Sequence, residues 1–309
     1  MSTKGNTNQL FHQYFAEWIE VYKQGAVRPI TYQKYLMTLR WLTELAPTLK
    51  ICELDKRSYQ GLINEYANTH EKQTTMDFHH HLKSAVLDAI DEGLLSTNPT
   101  RKAIVKGKSP SEKKMKFLSQ HELKSLMASL NLTNELNWDW FILLIAKTGV
   151  RFSEALALTP CDFDFEEQKI KIMKTWNYKC ADGGFAETKN QSSRRILQID
   201  PHLCRQFAKI TDGLPPNEPI FIKGRVYNST VNNRLEVLCR TAEVSVISIH
   251  SLRHSHASAL IFAGVSIASI AKRLGHSCVT TTQETYLHII QELENQDCER
   301  IIRYLSALV

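Results

Sequence analysis

Residues 98–116 constrain this chain more than any others. Asn98-Pro99 stops a helix, because proline pushes the residue before it out of helical backbone and supplies no N–H of its own. The sixteen residues that follow, 101–116, carry seven bases (Arg101, Lys102, Lys106, Lys108, Lys113, Lys114, Lys116) against one acid, Glu112, and hold Gly107, Ser109 and Pro110. A segment so charged and so poor in apolar side chains has little to bury, so it divides the chain. Residues 1–100 are expected to form one domain, 101–116 a basic interdomain linker, and 117–309 a second domain. A length of 309 residues suits two cores better than one.

The two sides are patterned differently. Before the linker, Phe11, Phe15, Trp18, Ile19 and Tyr22 recur at helical spacing, as do Tyr32, Tyr35, Leu36, Leu39 and Leu42 after Pro29. Further helices are expected over 56–68 and 74–92, the last closed by Gly93. Four helices and no strand make a small all-α domain. After the linker, Ser119 with Glu122 three residues on is a capping-box start, and a buried helix is expected over 138–147. Alternation over 169–176, and again over 194–199, predicts two strands of an antiparallel sheet. From Asn228 the chain reads helical, with breaks near Gly264 and Gly275. The expected fold class is mainly α with a small antiparallel β-sheet.

Composition removes several function classes. With 43% apolar and 23% charged residues, the chain is neither disordered nor fibrous. Its longest apolar run, 140–146, is far short of the roughly 20 residues that span a bilayer. The polar N-terminus has no apolar signal core, so a cytoplasmic protein without a membrane partner is expected. Seven scattered cysteines with no CxxC spacing argue for a reducing compartment and against a zinc or disulfide framework. The net charge of +6 is not spread evenly: residues 1–100 hold 10 bases and 11 acids, and residues 117–309 hold 21 and 20. The whole surplus sits in the linker, which suits a strap along a polyanion.

Four segments of the second domain combine cations, imidazoles and a tyrosine. In Thr148-Gly149-Val150-Arg151-Phe152-Ser153-Glu154, an arginine follows a glycine turn at the end of an apolar helix. A buried helix end should not strand an arginine unless an anion meets it, or unless Glu154 pairs with it. Thr188-Lys189 sits in a polar hairpin tip ahead of Ser192-Ser193-Arg194-Arg195. In His250-Ser251-Leu252-Arg253-His254-Ser255-His256, His250 and Arg253 share a helix face. Three histidines invite a metal, but no carboxylate or cysteine stands at ligand spacing, so no metal site is expected. Finally, Leu274-Gly275-His276-Ser277 is followed, ten residues after His276, by Tyr286. Residues 267–282 also have a helix-turn-helix look, which alone would suggest a DNA-binding regulator.

Taken together, these segments resemble the tyrosine recombinase (phage integrase) family. The resemblance rests on Arg151, Lys189, His250, Arg253, His276 and Tyr286 in that order, and it covers nearly the whole chain. Ser251 departs from the acidic residue or glycine that the family more often has after the histidine. The resemblance implies a four-helix, SAM-like core-binding domain and a mixed α/β catalytic domain. It also implies cutting and rejoining of double-stranded DNA at specific sites through a 3′-phosphotyrosine, without ATP, metal or other cofactor. A homotetramer on DNA, in the bacterial cytoplasm or nucleoid, is expected, with DNA-bending or excisionase proteins as possible accessories. The last segment, 289–308, would dock on a neighbouring subunit or on its own domain.

The implied roles follow from the chemistry. A phosphodiester transition state gathers negative charge, and Arg151 and Arg253 would clamp it. Tyr286 would be the nucleophile, with His250 as its proton acceptor, and Lys189 would protonate the leaving 5′ oxygen. His276 would hydrogen-bond a phosphate oxygen, and Glu154 would position Arg151 or His250. Lys106, Lys108, Lys113 and Lys114 would meet the DNA backbone. The integrase of a phage or other mobile element is the leading reading. An Xer-like chromosome or plasmid resolvase, a type IB topoisomerase and a non-enzymatic helix-turn-helix regulator are the alternatives. With the helical domain starting by about Gln9, the chain reads as a two-domain recombinase or as the remainder of one with an added arm-binding domain.

Overall fold

The computed structural model describes residues 8–109, 117–180, 183–188, 190–287, 289 and 305–306. Its internal contacts separate two compact units, Met1–Lys113 and Lys114–Val309.

The first unit is built from α1 (Phe11–Tyr22), α2 (Pro29–Leu45), α3 (Lys56–Ala67) and α4 (Lys72–Asp91). Pro29 opens α2 where a helix has no use for an N–H. Asp55 caps α3 by accepting from the N–H groups of Arg57 and Ser58 at 2.9 and 2.7 Å. The apolar stripes read from the sequence meet in one core that includes Phe11, Phe15, Trp18, Leu42, Tyr59, Phe78 and Leu82. The basic stretch begins as an extended segment on this unit. Ile104 exchanges two hydrogen bonds with the Gln60 side chain, at 2.9 and 2.8 Å, and the Lys108 N–H donates to the His70 carbonyl at 2.8 Å. Ala103 and Val105 pack on the core, while the intervening Ile104 and the lysines at 106 and 108 are exposed. Residues 110–116, and with them Lys113 and Lys114, lie outside the described residues.

The second unit centres on α6 (Trp138–Thr148), which is buried along nearly its whole length against α10 (Ile249–Phe262). Ahead of it, α5 (Gln120–Ala128) starts with the expected reciprocal cap: Ser119 Oγ accepts from the Glu122 N–H, and Glu122 Oε2 from the Ser119 N–H. After the short α7 (Phe152–Leu156) come β1 (Phe163–Asp164), β2 (Lys169–Ile172), β3 (Lys174–Trp176), β4 (Phe185–Glu187) and β5 (Arg195–Gln198). The alternation over 169–176 is divided between two sheets. β2 lies between β1 and β5, all antiparallel, with Ile170 opposite Leu197 and Ile172 opposite Arg195; β3 pairs with β4. The break falls at exposed Met173, beyond which Lys174 turns to Asp162 at 2.7 Å. α8 (Pro201–Ile210), α9 (Asn228–Thr241), α10, α11 (Ile267–Leu274) and a helical stretch over 279–287 complete the unit. Among the described residues no helix is long and apolar enough to cross a membrane.

Candidate active site

Two helix ends hold the arginines. The last carbonyls of a helix have no partner within it and carry the negative end of its dipole, so they suit cations. α6 ends at Gly149 and α11 at Gly275, both left-handed, with φ of 67° and 69°. Arg253, on α10, joins the two ends: Nη1 donates to the Gly149 carbonyl and Nη2 to the Leu274 carbonyl, each at 2.6 Å. The glycines are required twice over. Besides the positive φ, a Cβ at 149 would stand 2.6 Å from the His256 ring, and one at 275 would stand 2.9 Å from Arg195 Nη1.

Arg151 is the N-cap of α7 and is tied at both ends. Its N–H and its Nη1 bond the two oxygens of Glu154 at 2.9 and 2.7 Å, its Nη1 reaches Ser193 Oγ at 3.2 Å, and its Nη2 donates to the Gly275 carbonyl at 2.9 Å. Glu154 is 1% exposed and serves a second arginine: Arg195, from β5, grips the same two oxygens at 3.2 and 2.9 Å and bonds the Arg273 carbonyl at 2.6 Å. Burial alone would push the Glu154 carboxyl up, but Arg195 and Arg151 hold it below the ordinary carboxylate range. Of five N–H donors each, Arg151 uses three on described residues and Arg253 two. More cationic donors than the one carboxylate can neutralise leave a net positive charge here, which suits an anion.

The imidazoles lie around these arginines. His250 is kept below the usual histidine range by burial, Arg253 and Arg151. His276 is brought down to about 4 by burial and the same arginines, and its Nδ1 is bonded to Thr282 Oγ1 at 2.7 Å. Both are therefore neutral at pH 7. His256, the third histidine of its segment, is structural: Nδ1 bonds the Ala146 carbonyl at 2.9 Å, and Nε2 accepts from Arg273 at 3.0 Å. Among the described residues no group of His, Cys, Asp or Glu could hold a metal ion. Tyr286 is 1% exposed within a cluster of Ala257, Ile261, Ile270, Leu274 and Ile289. Burial pushes its hydroxyl up to about 12, against the pull of Arg253. That hydroxyl bonds His254 Nδ1 at 2.9 Å.

Residues 116–292 match the phage integrase family. The chain belongs to that family. It is thus a tyrosine recombinase, an enzyme that cuts and rejoins DNA. The integrase of Staphylococcus phage L54a is 23% identical over 93% of this chain and 90% of its own length. The ICEBs1 integrase of Bacillus subtilis (strain 168) is 26% identical over 69% of this chain and 61% of its own. In fold, the Tn1549 transposon integrase in complex with transposon right end DNA superposes with a TM-score of 0.77 at 19% identity, over 95% of this chain and 100% of that one. A lambda integrase dimer bound to a COC′ core site gives 0.65 at 15% identity, over 89% and 77%.

For this integrase-family chain, five of the six residues of the motif series, together with Glu154, fall among the described residues and are brought together; Lys189 lies outside them. Two residues of the assembly carried no expected role: Arg195, the second grip on Glu154, and His254, the partner of Tyr286. The resemblance places the tyrosine against His250. The structure puts its hydroxyl on the histidine one helical turn further along. The end of α11 and its cap Gly275, within the segment that reads as a helix-turn-helix, give the carbonyls of residues 273, 274 and 275 to Arg195, Arg253 and Arg151.

Proposed function

We propose that the chain is the integrase of a phage or another mobile element, acting on double-stranded DNA at specific attachment sites. The observation that carries this reading is the convergence of Arg151, Arg253, His250 and His276 with the hydroxyl environment of Tyr286. In the proposed cycle, Arg151 and Arg253 hold the non-bridging oxygens of the scissile phosphate, and His276, fixed through Nδ1 by Thr282, donates from Nε2. Tyr286 attacks phosphorus, and Lys189 protonates the departing 5′ oxygen. Glu154 positions Arg151. The phosphotyrosine diester is close in energy to the bond it replaces, so a 5′ hydroxyl from another strand reseals it without ATP.

Four strand ends must be exchanged, so the working unit is a homotetramer on two sites, with DNA-bending or excisionase proteins as accessories. Lys106, Lys108, Lys113 and Lys114 follow the backbone. The setting is the bacterial cytoplasm or nucleoid. Similarity to a phage integrase along 93% of the chain supports the mobile-element role over chromosome resolution.

The test uses short duplexes tiling the DNA beside the chain's own gene, each nicked a few nucleotides from a candidate cleavage point so that the cut end diffuses away. The native protein is expected to form an SDS-resistant adduct with a subset of them, and Tyr286→Phe none. An adduct that persists in Tyr286→Phe removes the assignment.

A further inference from the structure

We infer that His254 is a catalytic residue of this reaction, the group that takes the Tyr286 proton as the tyrosine attacks. The inference rests on the proposed cleavage cycle and adds a residue to it. A hydroxyl that is buried cannot give its proton to bulk water, so the acceptor must be a protein group in contact with it. Among the described residues, His254 is the hydrogen-bonding partner of the Tyr286 oxygen, at 2.9 Å through Nδ1. The burial that raises the phenol's pKa makes that acceptor more necessary.

The helix α10 separates two tasks on one face. His250, Arg253 and His254 are at i, i+3 and i+4. His250 feels Arg253 and Arg151, on the side where the phosphate is held, and its ring stands edge-on to that of His254, 5.0 Å away at 88°. His254 is turned to the tyrosine, with ring centroids 5.8 Å apart. Among the described residues, the titratable groups facing it include His250 from its own helix, His276 from the turn after α11, and Tyr286 from 279–287.

His254 carries its proton on Nε2 and offers the Nδ1 lone pair. The Oη–H bond breaks, the proton moves to Nδ1, and the oxygen pair forms the bond to phosphorus. The P–O5′ bond breaks, and its electron pair remains on the 5′ oxygen, which takes a proton from the general acid. On resealing, the departing phenolate recovers its proton from His254, so nothing is consumed.

The experiment measures single-turnover adduct formation against pH, on whichever tiled duplex the native protein cleaves best, for native protein, His254→Asn and His254→Gln. Asn places an amide oxygen where Nδ1 stood, so it preserves a hydrogen bond but cannot take the proton. Both variants are expected to melt and to bind the duplex as the native protein does, yet to cleave at least about a hundredfold more slowly at neutral pH. Their rates should keep climbing with pH where the native rate is flat, and the native rate should fall on acidification through the imidazole range. Cleavage by the variants at the native rate or faster overturns the inference, since the bond would then merely store the tyrosine. So does slowing in parallel with the native profile at every pH, which marks a structural role. If neither variant folds, a native rate that does not fall on acidification is enough to overturn it. Native protein that forms no adduct with any duplex instead sinks the proposed function.

Discussion

The helical unit and the active site bury polar groups in opposite ways. In the helical unit they are matched one to one: Tyr59 Oη with His79 Nδ1 at 2.8 Å, Thr38 Oγ1 with His81 Nδ1 at 2.8 Å, Trp18 Nε1 with Asp88 at 2.6 Å. Each pair is complete, and its effect ends with the helices it joins. At the active site, Arg151 and Arg195 grip one buried carboxylate, Glu154, Arg253 lies within its field, and carbonyls at two helix ends accept from all three arginines. Carbonyl dipoles solvate a guanidinium without cancelling its charge. The first arrangement is complete on folding; the second keeps a net positive charge, as the proposed phosphate clamp requires.

That contrast breaks most readily at Glu154. Glu154→Gln leaves two arginines facing a neutral amide, and losing one partner of a buried ion pair costs about 3–5 kcal/mol. Tyr59→Phe, which removes one neutral pair from the helical unit, should cost about 1–2 kcal/mol. Denaturant unfolding that separates the two transitions measures both. Equal costs would mean that Glu154 is only another satisfied polar group. The pH dependence carries the same information. Glu154 is held below its ordinary value of 4.5, so its contribution is full above that pH and is lost as pH falls through the lower folded value. In Glu154→Gln that acid-side loss should shrink.

Arg253 tests what the surplus charge is for. Lys keeps the charge but cannot reach the Gly149 and Leu274 carbonyls with two arms of a planar fork. For Arg253→Lys we expect adduct formation to fall by about a hundredfold or more, equivalent to about 3 kcal/mol in the barrier, with duplex binding nearly unchanged. A variant that loses stability but cleaves normally would reduce Arg253 to a bolt between two helix ends.

The parts of this design that could be read from the chain are those written locally. Helical spacing gave α1 to α4, and the Ser119–Glu122 pair marked the start of α5. Gly149 and Gly275 marked two helix ends because only a left-handed turn calls for them. The order of Arg151, His250, Arg253, His276 and Tyr286 picked out residues that the fold brings together. What stayed hidden depends on closure through space. Arg195 meets Glu154 across 41 residues and His254 meets Tyr286 across 32, and neither partner signals the other in sequence. β1 and β4 are two and three residues long, too short for alternation to register. The seating of residues 103–105 on the first unit was masked by the bases around them, although only Ala103 and Val105 face inward.

The smallest expected effect concerns charge of a third kind, neither matched nor buried. Lys106 and Lys108 are exposed on a segment held by main-chain hydrogen bonds and by Ala103 and Val105, so replacing them with Gln should leave the first unit folded. Exposed cations act on DNA by releasing counterions, whereas buried donors act at the reacting phosphate and are shielded from salt. Lys106→Gln with Lys108→Gln, and separately Lys113→Gln with Lys114→Gln, should lower the slope of log affinity against log salt by roughly 0.9 for each phosphate that is no longer neutralised. Cleavage at saturating DNA should be unchanged. A slope unmoved by either pair would leave the net +6 of residues 101–116 in solvent. A slope unmoved but a slower saturated cleavage would mean that the strap acts on the catalytic step, and the division between exposed charge for grip and buried charge for chemistry would fail.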